Sequence, residues 1–425
     1  MPMRMLSIAL ALIASVGCGS LDRVLAVEPL DRVPALPLES SPANAPVLAN
    51  GAIADFDCAF GAYVVMGGLI GDELEESRSI IDRKPYDQRT HSSRDRLYAV
   101  SPCDQIGVYT PLQTARVSAV RAIRLLDGWR DDEVAQRHTL LATMHAYAGY
   151  ATLLLGEGFC STVLSSPDAS GAPVYGGEVT RDSAFRVAES HFGAAIAHAQ
   201  EAGAKAVLDL ALVGRARARL DRGDPAGARG DAVLVPPDFA HLMTASASPE
   251  RRENRAWAQE RRPNDLVTVG TLYRSLGDPR VRVTDQGRTG PTRVRIFYEE
   301  KYPTADSPIR IAGGAEARLI VAEADIATGT VVSLENARSI IDAFRARGNQ
   351  PPLATSDGAT LRAALIDQRR RELFLEGQHL GDIIRYGVAF TPPVGAPYPG
   401  GGTYGSQRCL PLPDVERDNN PALRD

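Results

Sequence analysis

Apolar residues along this chain recur at steps of three and four more often than at steps of two, the spacing that lines one face of a helix. The pattern predicts helices over residues 53–76, 110–128, 133–156, 180–202, 205–222, 314–328, 333–347 and 358–376. It is clearest over 133–156, where Leu141, Met144, Ala148, Ala151 and Leu155 mark one stripe for burial. Alternation is confined to 293–298, which predicts a short hairpin strand. Residues 160–180, 223–263, 278–313 and 391–425 carry little helical signal. They are long for loops inside a compact domain, and long loops on a rigid scaffold usually carry function. The Pro/Gly-rich stretch 391–406 excludes a helix or an inner strand.

Three of the expected helices end alike, with two small residues one position apart, then Leu or Ile, then Gly. The sets are Gly149, Ala151, Leu153, Gly156; Ala216, Ala218, Leu220, Gly223; and Ala322, Ala324, Ile326, Gly329. Small residues let a neighbouring helix approach, and glycine takes the left-handed conformation that closes a helix. After Gly223 and Gly329 a new helical pattern begins within a few residues. That is a helix-turn-helix unit of the tetratricopeptide kind at irregular spacing. The expected fold is mostly α, a tetratricopeptide-like helical-repeat scaffold with long loop insertions and a few short strands.

The first residues differ from the rest. Arg4 precedes an apolar run over 6–16, too short for the ~20 residues that span a bilayer. Residues 1–17 read as a secretory signal peptide. Ser15-Val16-Gly17-Cys18 resembles the lipobox of bacterial lipoproteins, with Ser15 where Leu is usual, so Cys18 is the expected lipidation site and membrane anchor. Several acyl chains on one cysteine anchor a protein stably, because each buried CH2 contributes ~0.8 kcal/mol. Residues 18–50, rich in Pro, Ala, Ser and Leu, lack periodicity and read as a tether; 51–425 read as a single helical domain. Cys58, Cys103, Cys160 and Cys409 remain, an even number that suggests two disulfides in an exported chain. Three connectivities are open. Cys58 with Cys103 and Cys160 with Cys409 is the favoured one, the first pair being the more local.

Composition is ordinary for a globular protein, with 44% hydrophobic and 23% charged residues. A net charge of -5, with basic and acidic residues interleaved, argues against a nucleic-acid partner. The arginines at 251–252 and 261–262 sit among Glu250, Glu253 and Glu260 and read as a solvated loop. Asp72, Glu73, Glu75 and Glu76 read as the solvated end of the first helix. His138 with His145 and His191 with His198 are seven apart, so each pair shares a helix face two turns apart, and helix-surface histidines are expected. No zinc-protease, nucleophile-elbow or phosphate-loop motif is present. No catalytic residue, metal or cofactor is therefore assigned, and the chain is not expected to be an enzyme.

The C-terminal third is the most specific. Arg369-Arg370-Arg371-Glu372-Leu373-Phe374-Leu375-Glu376-Gly377-Gln378-His379, then Asp382-Ile383-Ile384-Arg385-Tyr386-Gly387, resembles the signature of the SusD/RagB nutrient-uptake lipoproteins. His379 stands where that family often has His-Arg or a similar pair. Upstream, Glu316-Ala317-Arg318-Leu319-Ile320-Val321-Ala322-Glu323-Ala324 resembles a second family helix. Leu410-Pro411-Leu412-Pro413 and the stretch from Glu416 to Pro421 resemble its closing elements. The resemblance covers about 314–422. It implies a helical fold on tetratricopeptide-like pairs, an outer-membrane location through the lipid anchor, and a SusC-like TonB-dependent barrel as partner. It also implies a nutrient ligand, usually an oligosaccharide and sometimes a peptide. Read physically, the signature is structural: Glu372 and Glu376 lie one turn apart beside three arginines, an arrangement for ion pairs.

Sugars stack on aromatic rings, and aromatics are only 6% of the chain. Trp257, in a polar stretch, and Tyr273, Tyr298 and Tyr302 are the ligand-binding candidates, while Trp129 at a helix end reads as core. The rival functional reading is a helical-repeat scaffold lipoprotein mediating protein–protein contacts in the envelope. A helical glycoside hydrolase would need two carboxylates facing each other on separate elements, and no such pair is evident.

Overall fold

The computed structural model describes residues 39–78, 83–168, 172–248, 250–262 and 265–424. The expected leader, Cys18 and most of the tether lie outside them. The tether stops short of residue 50, because helix α1 (Ala45–Ile70) already begins at Ala45, with Pro46 in its first turn and Ala45, Ala49 and Ala52 buried.

After α1 come strand β1 (Leu74–Glu76), short helices α2 (Lys84–Gln88) and α3 (Arg96–Val100), and long helices α4 (Tyr109–Gly128) and α5 (Arg137–Gly158). Two ribbons follow, β2 (Ser161–Val163) with β5 (Glu178–Thr180), and β3 (Ser166–Pro167) with β4 (Pro173–Val174). Next are α6 (Arg181–Ala202), α7 (Lys205–Asp221) and α8 (Pro225–Ala232), then β6 (Ala240–Met243), α9 (Arg255–Arg261) and β7 (Val267–Val269). A hairpin of β8 (Val283–Thr289) and β9 (Arg295–Glu299) precedes β10 (Ile309–Gly313). Helices α10 (Gly314–Thr328), α11 (Val331–Arg347), α12 (Gly358–Glu372), α13 (His379–Tyr386) and α14 (Asp414–Asn419) complete the chain. Every described sheet has two antiparallel strands, including β1 with β7 and β6 with β10. The long helices stack in order, α1 on α4, α4 on α5, and so on through α8, then α10, α11 and α12. One continuous apolar core takes residues from all of them.

Helix α1 is apolar all round because it is surrounded. From Pro42 to Ile70 it is long and apolar enough to cross a membrane, yet 83% of that apolar window is buried inside the protein, as a core helix is. It ends at Ile70 rather than 76, and the following residues turn into β1. The acidic group expected at a solvated helix end is instead buried. Glu73 accepts a hydrogen bond from the Leu375 N–H at 2.9 Å, and Glu75 holds Arg274 at 2.6 Å. Asp72 pairs with Arg89. Burial pushes the Asp72 carboxyl up to about 7 and that of Glu73 up to about 8.

Gly223 and Gly329 take positive φ, 77° and 70°, just past α7 and α10, as helix-closing glycines do. Gly156 is different. Helix α5 runs on to Gly158, and Gly156 is a point of close approach, where a Cβ would strike the Phe185 ring. One turn-pair earlier Gly149 meets Phe192, and Gly214 of α7 presses on that same ring. Two glycines seven apart on α5 thus seat two phenylalanines seven apart on α6.

The cysteines are joined as Cys58–Cys103 and Cys160–Cys409. The second link ties the end of α5 to the C-terminal tail, reinforced by Cys160 N–H to Leu410 O at 2.9 Å and Leu410 N–H to Gly158 O at 2.9 Å. The C-terminal signature is a lattice of ion pairs between elements. Arg369 meets Asp382 at 2.7 Å. Glu376 takes Lys301 at 2.7 Å and Arg310 at 2.9 Å, and Glu372 takes Arg347 at 3.1 Å and Arg280 at 3.4 Å.

The shared ring of Phe192 gives a test. Gly149→Ala and Gly214→Ala should each lower stability by about 1–3 kcal/mol in urea denaturation, with the double variant less than additive. Gly193→Ala, on the open side of α6 with only the Arg215 side chain 3.9 Å away, should be neutral or slightly stabilising.

Candidate ligand-binding surface

The insertion between α8 and α10 carries the half-exposed rings of Trp257 and Tyr298. Helix α9 starts there because Asn254 caps it, its side chain accepting from the Trp257 N–H at 3.1 Å. The cap is itself fastened, since Asn254 N–H donates to Ala305 O at 2.7 Å and its amide to Ser307 O at 2.9 Å. Trp257 is thereby set half-buried, its indole N–H donating to Pro303 O at 3.2 Å. The β8–β9 hairpin lies alongside, pairing Val283 with Glu299 and Thr284 with Tyr298. It is clasped to β7 through Phe297 N–H to Thr268 Oγ1 at 2.7 Å.

These two elements build a ladder of alternating rings and guanidinium groups. Arg262 lies 4.8 Å from the Trp257 ring centroid. Arg261 lies 6.0 Å from Trp257 and 4.8 Å from Tyr298. Arg288 lies 5.6 Å from Tyr298. Each contact is the attraction of a cation for a ring's negative face. Arg261 is held at its other end by two carboxylates, Glu299 at 3.3 Å and Glu260 at 3.1 Å, and donates to Glu299 O at 2.6 Å. Burial pushes both carboxyls up, Glu260 well above the usual range. At the far end Arg288 grips Asp265 with two bonds, at 2.7 and 3.1 Å, and holds that carboxyl below its ordinary range. Tyr298 donates to the same Asp265. The ladder's polar ends are therefore pinned while Trp257 and Tyr298 stay half-exposed.

An open depression of about 450 Å³ adjoins the start of β8. Arg274, Leu276, Pro279, Arg282, Val283 and Asn349 are among its walls. Val283 is one residue from the strand partner of Tyr298, so depression and ladder share the hairpin. The floor residue Asp278 pairs with Arg280 at 2.7 Å and with Arg371 of the signature at 3.3 Å.

Of the four aromatic candidates, the structure brings Trp257 and Tyr298 together and withdraws the other two. Tyr273 is 1% exposed and stacks on Phe374 at 4.7 Å. Tyr302 is 3% exposed and donates to Leu375 O at 2.9 Å. Both are core residues under the signature, out of reach of a ligand. Trp257 belongs to a helix, not to a solvated loop, and the arginines at 261 and 262 are part of the ladder. Sequence reasoning missed Arg261, Arg262, Arg288 and Asp265. The available signal was Asn254 as a cap, which makes 255–261 a helix and sets Trp257 and Arg261 one turn apart. The four histidines do not stand singly on the surface. His138 faces His198 and His145 faces His191 across α5 and α6. Trp129 packs against the core.

Residues 301–423 match the SusD family. About nine-tenths of the chain is similar in fold to solved structures. A SusD superfamily protein from Bacteroides fragilis superposes with a TM-score of 0.66 at 14% identity, covering 91% of this chain and 99% of that one. The surface glycan-binding protein A from Bacteroides uniformis gives 0.66 at 13% identity, covering 89% and 98%. A laminarin-binding SusD-like protein gives 0.62 at 16% identity, covering 87% and 96%. No curated protein matches the sequence.

Removing the ladder's central cation leaves Glu260 and Glu299 buried without it. Arg261→Ala should cost about 3 kcal/mol in a denaturant titration. In a Trp129→Phe background, where Trp257 is the one tryptophan, emission should shift to longer wavelength as the indole loosens. An unchanged midpoint and emission maximum would contradict the ladder's role.

Proposed function

We propose that this chain, which belongs to the SusD/RagB family, captures an oligosaccharide nutrient outside the cell and delivers it to a TonB-dependent outer-membrane barrel. The observation that carries the reading is the fold, shared over nine-tenths of the chain with proteins that include a glycan-binding and a laminarin-binding one. The Trp257–Tyr298 ladder supports it. A sugar's apolar face stacks on a half-exposed ring with exclusion of water, and Arg262 and Arg288 offer donors to hydroxyl groups at the rim. The rings are few and set in an open surface, which suits a short oligosaccharide held at moderate affinity and passed on. In this reading no bond of the ligand is broken. The lipid anchor is Cys18, and the segment up to about residue 44 spans from membrane to folded body.

Isothermal titration of the purified full chain against a panel of neutral and acidic oligosaccharides, with short peptides alongside, tests the reading. Binding to one oligosaccharide class is expected. Trp257→Ala and Tyr298→Ala should each weaken it by about tenfold or more, roughly the 1.4 kcal/mol or more of a lost stacking contact. Val332→Ala, at an exposed helix start, should leave it unchanged. Peptide binding alone, or sugar binding indifferent to both ring substitutions, would overturn the assignment of ligand or of surface respectively.

A further inference from the structure

Helices α5 and α6 run antiparallel and bring together four of the chain's seven histidines. His138 Nδ1 lies 3.0 Å from His198 Nδ1, and His145 Nδ1 lies 3.1 Å from His191 Nδ1. The rings of His145 and His198 stack at 5.8 Å, so the two pairs form one column. At the outer end of the column the chemistry changes. Glu201 Oε1 is 3.2 Å from His138 Nε2, and Asp131 Oδ1 is 3.4 Å from the same nitrogen. One donor atom each from His138, His198 and Glu201 fits within 4.8 Å of the other two.

We propose that His138, His198 and Glu201 bind a divalent transition-metal ion of the zinc type, with Asp131 as an adjoining carboxylate. Two imidazoles and a carboxylate match that class, and bonds of about 2.0–2.2 Å place donor atoms roughly 3.3 Å apart in a tetrahedral shell. A calcium ion would want six or more oxygens, which this cluster does not supply. Glu201 and Asp131 are exposed, so an ion reaches the site from solvent and keeps one position for water. Asp131 also pairs with Arg137 at 3.0 Å, so its carboxylate is shared rather than dedicated. The inner pair does not form a second site. Among the described residues no carboxylate joins His145 and His191, and the Arg116 guanidinium opposes a positive charge there. The bound ion would join the first turn of α5 to the last turn of α6 at the open end of their hairpin. Their opposite ends are already held by the Phe185–Gly156 contact.

The test uses the full chain carrying an affinity tag without histidine, stripped with chelator and titrated calorimetrically with Zn²⁺ and separately with Ca²⁺. One Zn²⁺ per chain and no calcium binding are expected, with a rise in melting temperature on zinc addition. His198→Ala and Glu201→Gln should each weaken zinc binding by at least about tenfold and abolish the thermal shift. Glu201 is exposed, so its variant keeps the fold. His191→Gln should leave zinc affinity unchanged. Absence of stoichiometric zinc binding, or binding that survives both ligand substitutions, would overturn the proposal.

Discussion

The guanidinium of Arg217 is buried in the middle of the helical stack, and the rest of the architecture is arranged so that it is never unpaired. It meets Glu157 of α5 with two bonds, one of 2.6 Å, and lies 3.8 Å from Glu316 of α10. From there the chain of charges continues. Arg385 of α13 reaches Asp221 of α7 at 3.5 Å, Asp382 at 2.8 Å and Glu323 of α10, and Arg369 of α12 closes on Asp382. Three arginines face five carboxylates. Burial pushes Asp221 well above and Glu316 above the usual carboxylate range. A network of this kind is costly to break, because removing one partner strands a buried charge. It ties α5, α7, α10, α12 and α13 to one another.

That constraint explains why the family signature is structural and still matters to function. Arg369, Arg371, Glu372 and Glu376 of the signature are buried, with Arg370 and Arg385 partly exposed. They reach outward from α12 and the turn after it to the insertion that carries the candidate surface, Glu376 to Lys301 and Arg310, Arg371 to Asp278. Leu375 fixes both Glu73 behind it and Tyr302 in front. The β8–β9 hairpin and the depression beside it are thus mounted on a part of the core cross-linked by ion pairs. A surface meant to hold a ligand in one geometry gains from rigid support of that kind.

The helices were legible because their apolar period is set by burial on one face, and only their ends moved. Helix α1 was misplaced at both ends for different reasons. Pro46 and the alanines before residue 53 resemble a tether in composition, and the acids at 72–76 resemble a solvated cap until Arg89, Arg274 and Leu375 are seen to meet them. Trp257 stood out as an aromatic in polar surroundings, and it does share a surface with Tyr298, a further aromatic candidate. The other candidates, Tyr273 and Tyr302, are core, because the signature residues that cover them, Phe374 and Leu375, come far later in the sequence. The histidine column was half legible. Spacing of seven put each pair on one face, but which faces meet depends on α5 and α6 packing antiparallel in a register fixed by Gly149 and Gly156 against Phe192 and Phe185. The expected leader and lipid anchor lie outside the described residues.

On the proposed function, this fold works as the capturing partner of a transport barrel. The most direct measurement is a mild-detergent pull-down of the full chain, tagged at its C-terminus, from its native membrane, with mass spectrometry of what accompanies it. A large TonB-dependent barrel recovered in near-equal amount is the expected result. Recovery of periplasmic proteins alone, or of nothing from a well-extracted sample, would contradict it and favour an envelope scaffold instead.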